Sequence, residues 1–97
     1  MLRDDVIEKL RQRHEQLKNE FGVESSAIFG SVARGEEHQE SDVDILVTFE
    51  HTLSLFAFIR LKAYLEGLLS RKVDLVTKNA LKPQLRERIL KEALLAA

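Results

Sequence analysis

Apolar positions recur along this chain with two alternating periods. Between residues 3 and 20, Val6, Leu10 and Leu17, with Phe21 just beyond, fall on one face, and Glu, Lys, Arg and Gln fill the rest. That spacing predicts a helix over 3–20. Asp4 and Asp5 stand near its start, where carboxylates suit the helix dipole, and Gly22 follows its end. The period then shortens. Residues 23–29 predict a strand, which Gly30-Ser31 interrupts, and residues 32–35 form the first turn of a short helix. Residues 36–41 are a polar, acidic loop. Val43, Ile45, Val47 and Phe49 then alternate with Asp44, Leu46 and Thr48, which predicts a second strand. Residues 55–69 predict a helix that is apolar around much of its circumference. Phe58, Leu61, Leu65 and Leu68 give one face, Phe56, Ile59 and Ala63 extend it, and Gly67 is a weak point. Residues 72–77 predict a third strand and residues 81–95 a last helix. In that helix Leu81, Leu85, Ile89 and Ala93 recur every four residues, and Pro83 sits in the first turn, where proline is tolerated.

The order αβαβαβα predicts an α/β (α+β) fold, a mixed sheet of three strands or slightly more with helices packed on it. Which strands run parallel is not set by this pattern. The 97 residues, 44% of them hydrophobic, fit a single domain spanning 1–97. The net charge of −1 argues against gripping duplex phosphates, so stable nucleic-acid binding is not expected. The lack of cysteine excludes disulfides, thiolate metal sites and cysteine nucleophiles. The N-terminus is charged and unlike a signal peptide, and the most apolar stretch, residues 53–59, is too short for a bilayer. A soluble, cytoplasmic protein without membrane attachment is the expectation.

Candidate chemistry is concentrated in Ile28 to Val47, IFGSVARGEEHQESDVDILV. Strand side chains alternate faces, so Asp42 and Asp44 point the same way, roughly 6–7 Å apart along the chain. Two converging carboxylates repel unless a cation lies between them, and hard oxygen ligands suit Mg²⁺ or Mn²⁺. Asp74, an acid in the otherwise apolar strand KVDLVT, meets them if the third strand lies beside the second. A strand, Gly30-Ser31 and a helix start form a phosphate-holding arrangement, with close backbone approach, free N–H groups and a hydroxyl. Arg34, one turn on, reaches a phosphate or a neighbouring carboxylate, or serves only as a structural salt bridge. Phosphates at one end and metal-binding carboxylates at the other describe a nucleoside triphosphate site.

Gly30-Ser31, ten intervening residues and then Asp42-Val43-Asp44 resemble the signature of the DNA polymerase β-type nucleotidyltransferase superfamily. The fuller string GSVARGE…SDVDILV is similar to the minimal nucleotidyltransferases, the MntA-type antitoxins encoded beside HEPN-domain toxins, over most of the chain. The resemblance implies the small nucleotidyltransferase core. It implies that Asp42 and Asp44 bind two Mg²⁺ ions, with Asp74 completing one site and helping to activate the attacking hydroxyl. Gly30 and Ser31 then hold the β- and γ-phosphates. The implied reaction moves AMP from ATP onto a tyrosine hydroxyl of a partner HEPN RNase toxin, in a hetero-oligomer. Larger members carry a helical domain for the acceptor, and its lack here favours a protein acceptor supplied by another chain.

Simpler readings stand beside these. Ser41 caps the turn before the strand and bears on Asp42 indirectly. His14, His38 and His51 are surface residues, and Tyr64 is core or partner-facing. Glu36, Glu37 and Glu40 are a solvated loop or a cover over nucleotide. Leu55, Phe56 and Ile59 form a partner surface or belong to a buried central helix. The alternative function is a non-catalytic module that neutralises its partner by binding it. A dimeric small-molecule nucleotidyltransferase ranks last.

Overall fold

The computed structural model describes residues 2–38 and 41–97. The first helical stretch is two helices, α1 (Leu2–Gln12) and α2 (His14–Phe21), separated at Arg13. Backbone hydrogen bonds persist on both sides, from Arg13 N–H to Lys9 and from Leu17 N–H to the Arg13 carbonyl. The expected single helix is therefore interrupted at one residue, where neither Gly nor Pro stands. The predicted face survives the break, since Val6, Leu10 and Leu17 are all buried. Gly22 ends α2 in the left-handed conformation, with φ 70°, and its N–H returns to the Lys18 carbonyl.

The strand β1 (Val23–Phe29) leads directly into α3 (Gly30–Arg34), which Gly35 closes at φ 73°. Next come β2 (Val43–Phe49), α4 (Leu55–Leu69) and β3 (Val73–Thr77). Ser54 caps α4, its hydroxyl accepting from Ala57 N–H. A short 3₁₀ turn, Lys78–Ala80, connects β3 to α5 (Pro83–Glu92), with Pro83 in its first turn. The last helix is shorter than expected. Ala93 turns extended, and Leu94–Leu95 form a fourth strand, β4. The exposed edge of β1 explains the switch, because its peptide groups need partners. Ser26 N–H donates to the Ala97 carbonyl, and Ala96 and Ala97 N–H groups donate to the Ser26 carbonyl.

The sheet order is β3-β2-β1-β4. β1 runs antiparallel to β2 and β4, and β2 runs parallel to β3. The main core lies on one face, where Ile28, Val43, Ile45, Val47, Val73 and Leu75 meet α1, α2 and α4. Each large apolar side chain buried there contributes about 1.5–3 kcal/mol. The other face carries a smaller cluster, Ala27, Phe29 and Leu46, against which Leu81, Ile89 and Ala93 pack. Leu85, expected on the inner face of the last helix, is 44% exposed. α4 is not a fully buried helix: Leu61, Leu65 and Leu69 face inward, whereas Leu55, Phe56 and Ile59 are exposed. Among the described residues no helix is long and apolar enough to cross a membrane.

Candidate active site

The strand alternation decides which face carries the chemistry. Val43 and Ile45 point into the main core, so Asp44 between them points to the opposite, thinly covered face. Val73 and Leu75 do the same for Asp74. The parallel register then pairs Asp44 with Asp74 on neighbouring strands. Adjacent strands lie about 4.8 Å apart, so the two side chains rise together from one face.

That contact has an electrostatic signature. The Asp44 carboxyl is pushed up from 3.8 to about 6, first by burial, then by the charge and hydrogen bond of Asp74, then by the charge of Asp42. Arg34 opposes the rise. Two carboxyls in contact favour holding one proton between them. A divalent cation at the same place relieves the same repulsion, and its hardness matches oxygen ligands. Among the described residues no three acidic or histidine side chains converge on one point. Asp42 and Asp74 are exposed, so neither side chain is locked by packing. The donor set fits a hard cation.

Gly30 stands at the other end of the site for two physical reasons. Its φ is +74°, a conformation that L side chains rarely adopt. It also lies against Asp44, because the antiparallel register pairs Phe29 with Asp44. A Cβ at Gly30 would overlap that carboxylate, coming 2.9 Å from its Cγ. The spacing between the glycine and the aspartates is therefore a consequence of strand register. Ser31 follows in α3, partly exposed, and its carbonyl accepts the Glu36 N–H.

Arg34 does not pair with the aspartates. Its Nε lies 3.0 Å from Glu36 Oε2 and its Nη1 3.0 Å from Glu92 Oε1. Hydrogen bonding to Glu36, then the Glu92 charge and bond, raise its pKa further against partial burial. Ser41 is buried and closes a tight turn. Its hydroxyl accepts His38 N–H at 2.9 Å, and its own N–H donates to the His38 carbonyl at 3.0 Å. Its carbonyl accepts from Arg71. Glu40 lies outside the described residues.

Sequence reasoning missed Glu92. Its carboxylate accepts Gly30 N–H at 2.8 Å and two bonds from Arg34. One signal was available: a carboxylate as the last residue of a helix faces the negative end of the dipole and needs a partner. Glu66 was missed too; it accepts Val73 N–H at 3.0 Å and so anchors the start of β3 just before Asp74. A cavity of about 740 Å³ lies elsewhere, at the far end of β2 among Phe49, Leu53, Phe58 and Thr77. On the aspartate face Asp42 and Asp74 are exposed and Asp44 is half-buried.

The nucleotidyltransferase domain model matches residues 7–96, and the chain belongs to that family. The chain is similar to the protein adenylyltransferase MntA of Thermococcus cleftensis, at 46% identity over 93 residues, covering 95% of this chain and 94% of the relative. A solved structure provisionally assigned as a minimal nucleotidyltransferase shares 46% identity at TM-score 0.74, covering 91% of this chain and 93% of that one. A chain from a toxin–antitoxin complex solved with AMP-PNP is 25% identical at TM-score 0.74, covering 90% of this chain and 72% of that one. The fold is that of the minimal nucleotidyltransferases, and the activity is nucleotidyl transfer.

Proposed function

We propose that this chain, acting as one domain over 1–97, transfers AMP from ATP to a tyrosine hydroxyl on a partner HEPN RNase toxin and thereby acts as a cytoplasmic antitoxin. The observation that carries this reading is the packing of Gly30 against Asp44 with Asp74 in register beside it. It sets a phosphate-approach turn directly beside paired carboxylates. The adenylyltransferase name of the Thermococcus relative and the AMP-PNP complex support ATP as donor.

In this reading Asp42, Asp44 and Asp74 hold two Mg²⁺ ions, or Mn²⁺ in their place. When bound, the ions supply charge to neutralise the triphosphate and lower the pKa of the attacking hydroxyl. Gly30 N–H and the Ser31 hydroxyl bind the β- and γ-phosphates, and Arg34 adds a cation beside them. Asp74, exposed at the edge strand, helps take the acceptor proton. The acceptor oxygen forms a bond to the α-phosphorus, the bond to the bridging oxygen breaks, and pyrophosphate leaves with its electron pair. Ser41 acts indirectly by fixing the turn that delivers Asp42. The exposed Asp42 and Asp74 and the exposed Leu55, Phe56 and Ile59 suit an acceptor brought by another protein.

The test is co-incubation with the partner toxin, ATP and Mg²⁺, read by intact mass. An AMP-sized addition on the toxin, lost in the Asp42→Asn, Asp44→Asn double variant, is expected. Full labelling by that variant would sink the catalytic reading. Neutralisation without labelling would favour a module that acts by binding alone.

A further inference from the structure

Glu92 occupies a place that the nucleotide reading assigns to phosphate. Its carboxylate accepts from Gly30 N–H at 2.8 Å and from Arg34 Nη1 at 3.0 and 3.2 Å. These are the backbone donor and the cation expected to receive the outer phosphates of ATP. The arrangement is built into the fold. β4 pairs with β1 through Ala27 with Leu95 and Ile28 with Leu94. Just beyond that pairing, Glu92 ends α5 and its side chain reaches Gly30 at the start of α3. The Glu92 backbone is thereby held, and only its side chain is left to turn away. A carboxylate and a phosphate cannot share one N–H and one guanidinium without strong repulsion.

We propose that Glu92 is a built-in occupant of the outer-phosphate position, displaced whenever a nucleoside triphosphate binds, and that it sets the affinity for ligands long enough to reach Gly30. The inference rests on the nucleotidyltransferase site described above. Displacement lowers affinity for every ligand whose outer phosphates take that position. A ligand that stops at the α-phosphate leaves Glu92 in place and is unaffected. Glu92 is thus a specificity-determining residue for phosphate chain length, acting against the triphosphate it eventually admits.

The test compares wild type, E92Q and E92D by calorimetric binding of AMP-PNP, inorganic triphosphate and AMP, each with Mg²⁺, with thermal melts to establish folding. E92Q keeps the shape and removes the charge. E92D keeps the charge but is one methylene too short to reach Gly30 N–H. Both are expected to bind AMP-PNP and triphosphate roughly three- to tenfold more tightly, the scale for one partly exposed charge. AMP binding is expected to be unchanged. AMP-PNP binding equal to or weaker than wild type in both variants overturns the inference alone. An equal gain for AMP also overturns it, because a diffuse charge effect then accounts for the data. A wild-type protein that binds no AMP-PNP overturns the nucleotide reading, and this inference with it.

Discussion

Asp44→Asn is expected to stabilise the cation-free protein while abolishing transfer. In the folded chain the Asp44 carboxyl rises from 3.8 to about 6, chiefly through burial and then through Asp74 and Asp42. At about 1.36 kcal/mol for each tenfold change in proton affinity, that rise corresponds to about 3 kcal/mol. Asp44 is only half-buried, so solvent screening reduces the figure to about 1–2 kcal/mol. The native state binds this proton more tightly than the unfolded chain. Stability therefore falls as pH rises from about 4 to about 6, and the full penalty applies above that. Asparagine removes the charge and keeps a donor for Asp74. Thermal melts in EDTA at pH 7.5 are expected to show the variant about 5–15 °C above wild type, given the usual response of a domain this small. At pH 4 the gap is expected to close. Adding Mg²⁺ is expected to raise the wild-type midpoint more than that of the variant. A variant melting at or below wild type at pH 7.5, or a gain independent of pH, refutes the electrostatic account of this site.

Three further outcomes follow from the same geometry. Gly30→Ala is expected to cost about 1–3 kcal/mol in urea denaturation, because it forces a strained φ and overlaps Asp44, and to eliminate transfer; unchanged stability counts against the close approach. Asp74→Asn is expected to move the Asp44 titration below about 6 while leaving it above 3.8, since burial remains; carboxyl carbon NMR reads it, and no movement would show that the two side chains do not interact. Leu61→Ala, deep beneath the sheet at 0% exposure, is expected to cost about 2–5 kcal/mol in denaturant melts while the folded variant keeps its nucleotide affinity.

The elements governed by local periodicity were legible from residue order. β1, β2 and α4 have their expected bounds; Gly30 marks the end of β1 and the alternation of Val43, Ile45, Val47 and Phe49 marks β2. Placing Asp74 beside Asp44 needed only alternation and the assumption that β2 and β3 adjoin, whereas Asp42 stands just before β2. The α5–β4 boundary was not legible. Residues 81–95 carry a helical four-residue spacing to the end, but the unpaired edge of β1 captures Leu94 and Leu95 as a strand. Tertiary hydrogen bonding there overrides local preference. Glu92 was hidden for a related reason: its partners, Gly30 and Arg34, lie 62 and 58 residues away and are brought near only by that strand. The exposure of Leu85 likewise depends on how α5 is set across the second face.

The sheet order has a consequence for when the site exists at all. Gly30 meets Asp44 through an antiparallel pair joined by a short intervening segment, a contact available to a growing chain early. Asp74 arrives only after the crossover through α4, and Glu92 only once β4 has docked on the free edge of β1. Contacts of such long sequence separation form late, since loop closure precedes their reward. A nascent chain that ends before β3 holds the phosphate turn, Asp42 and Asp44 but lacks both Asp74 and the Glu92 contact. The paired carboxylates are thereby tied to synthesis of β3, and a fragment that ends before it is expected to remain silent.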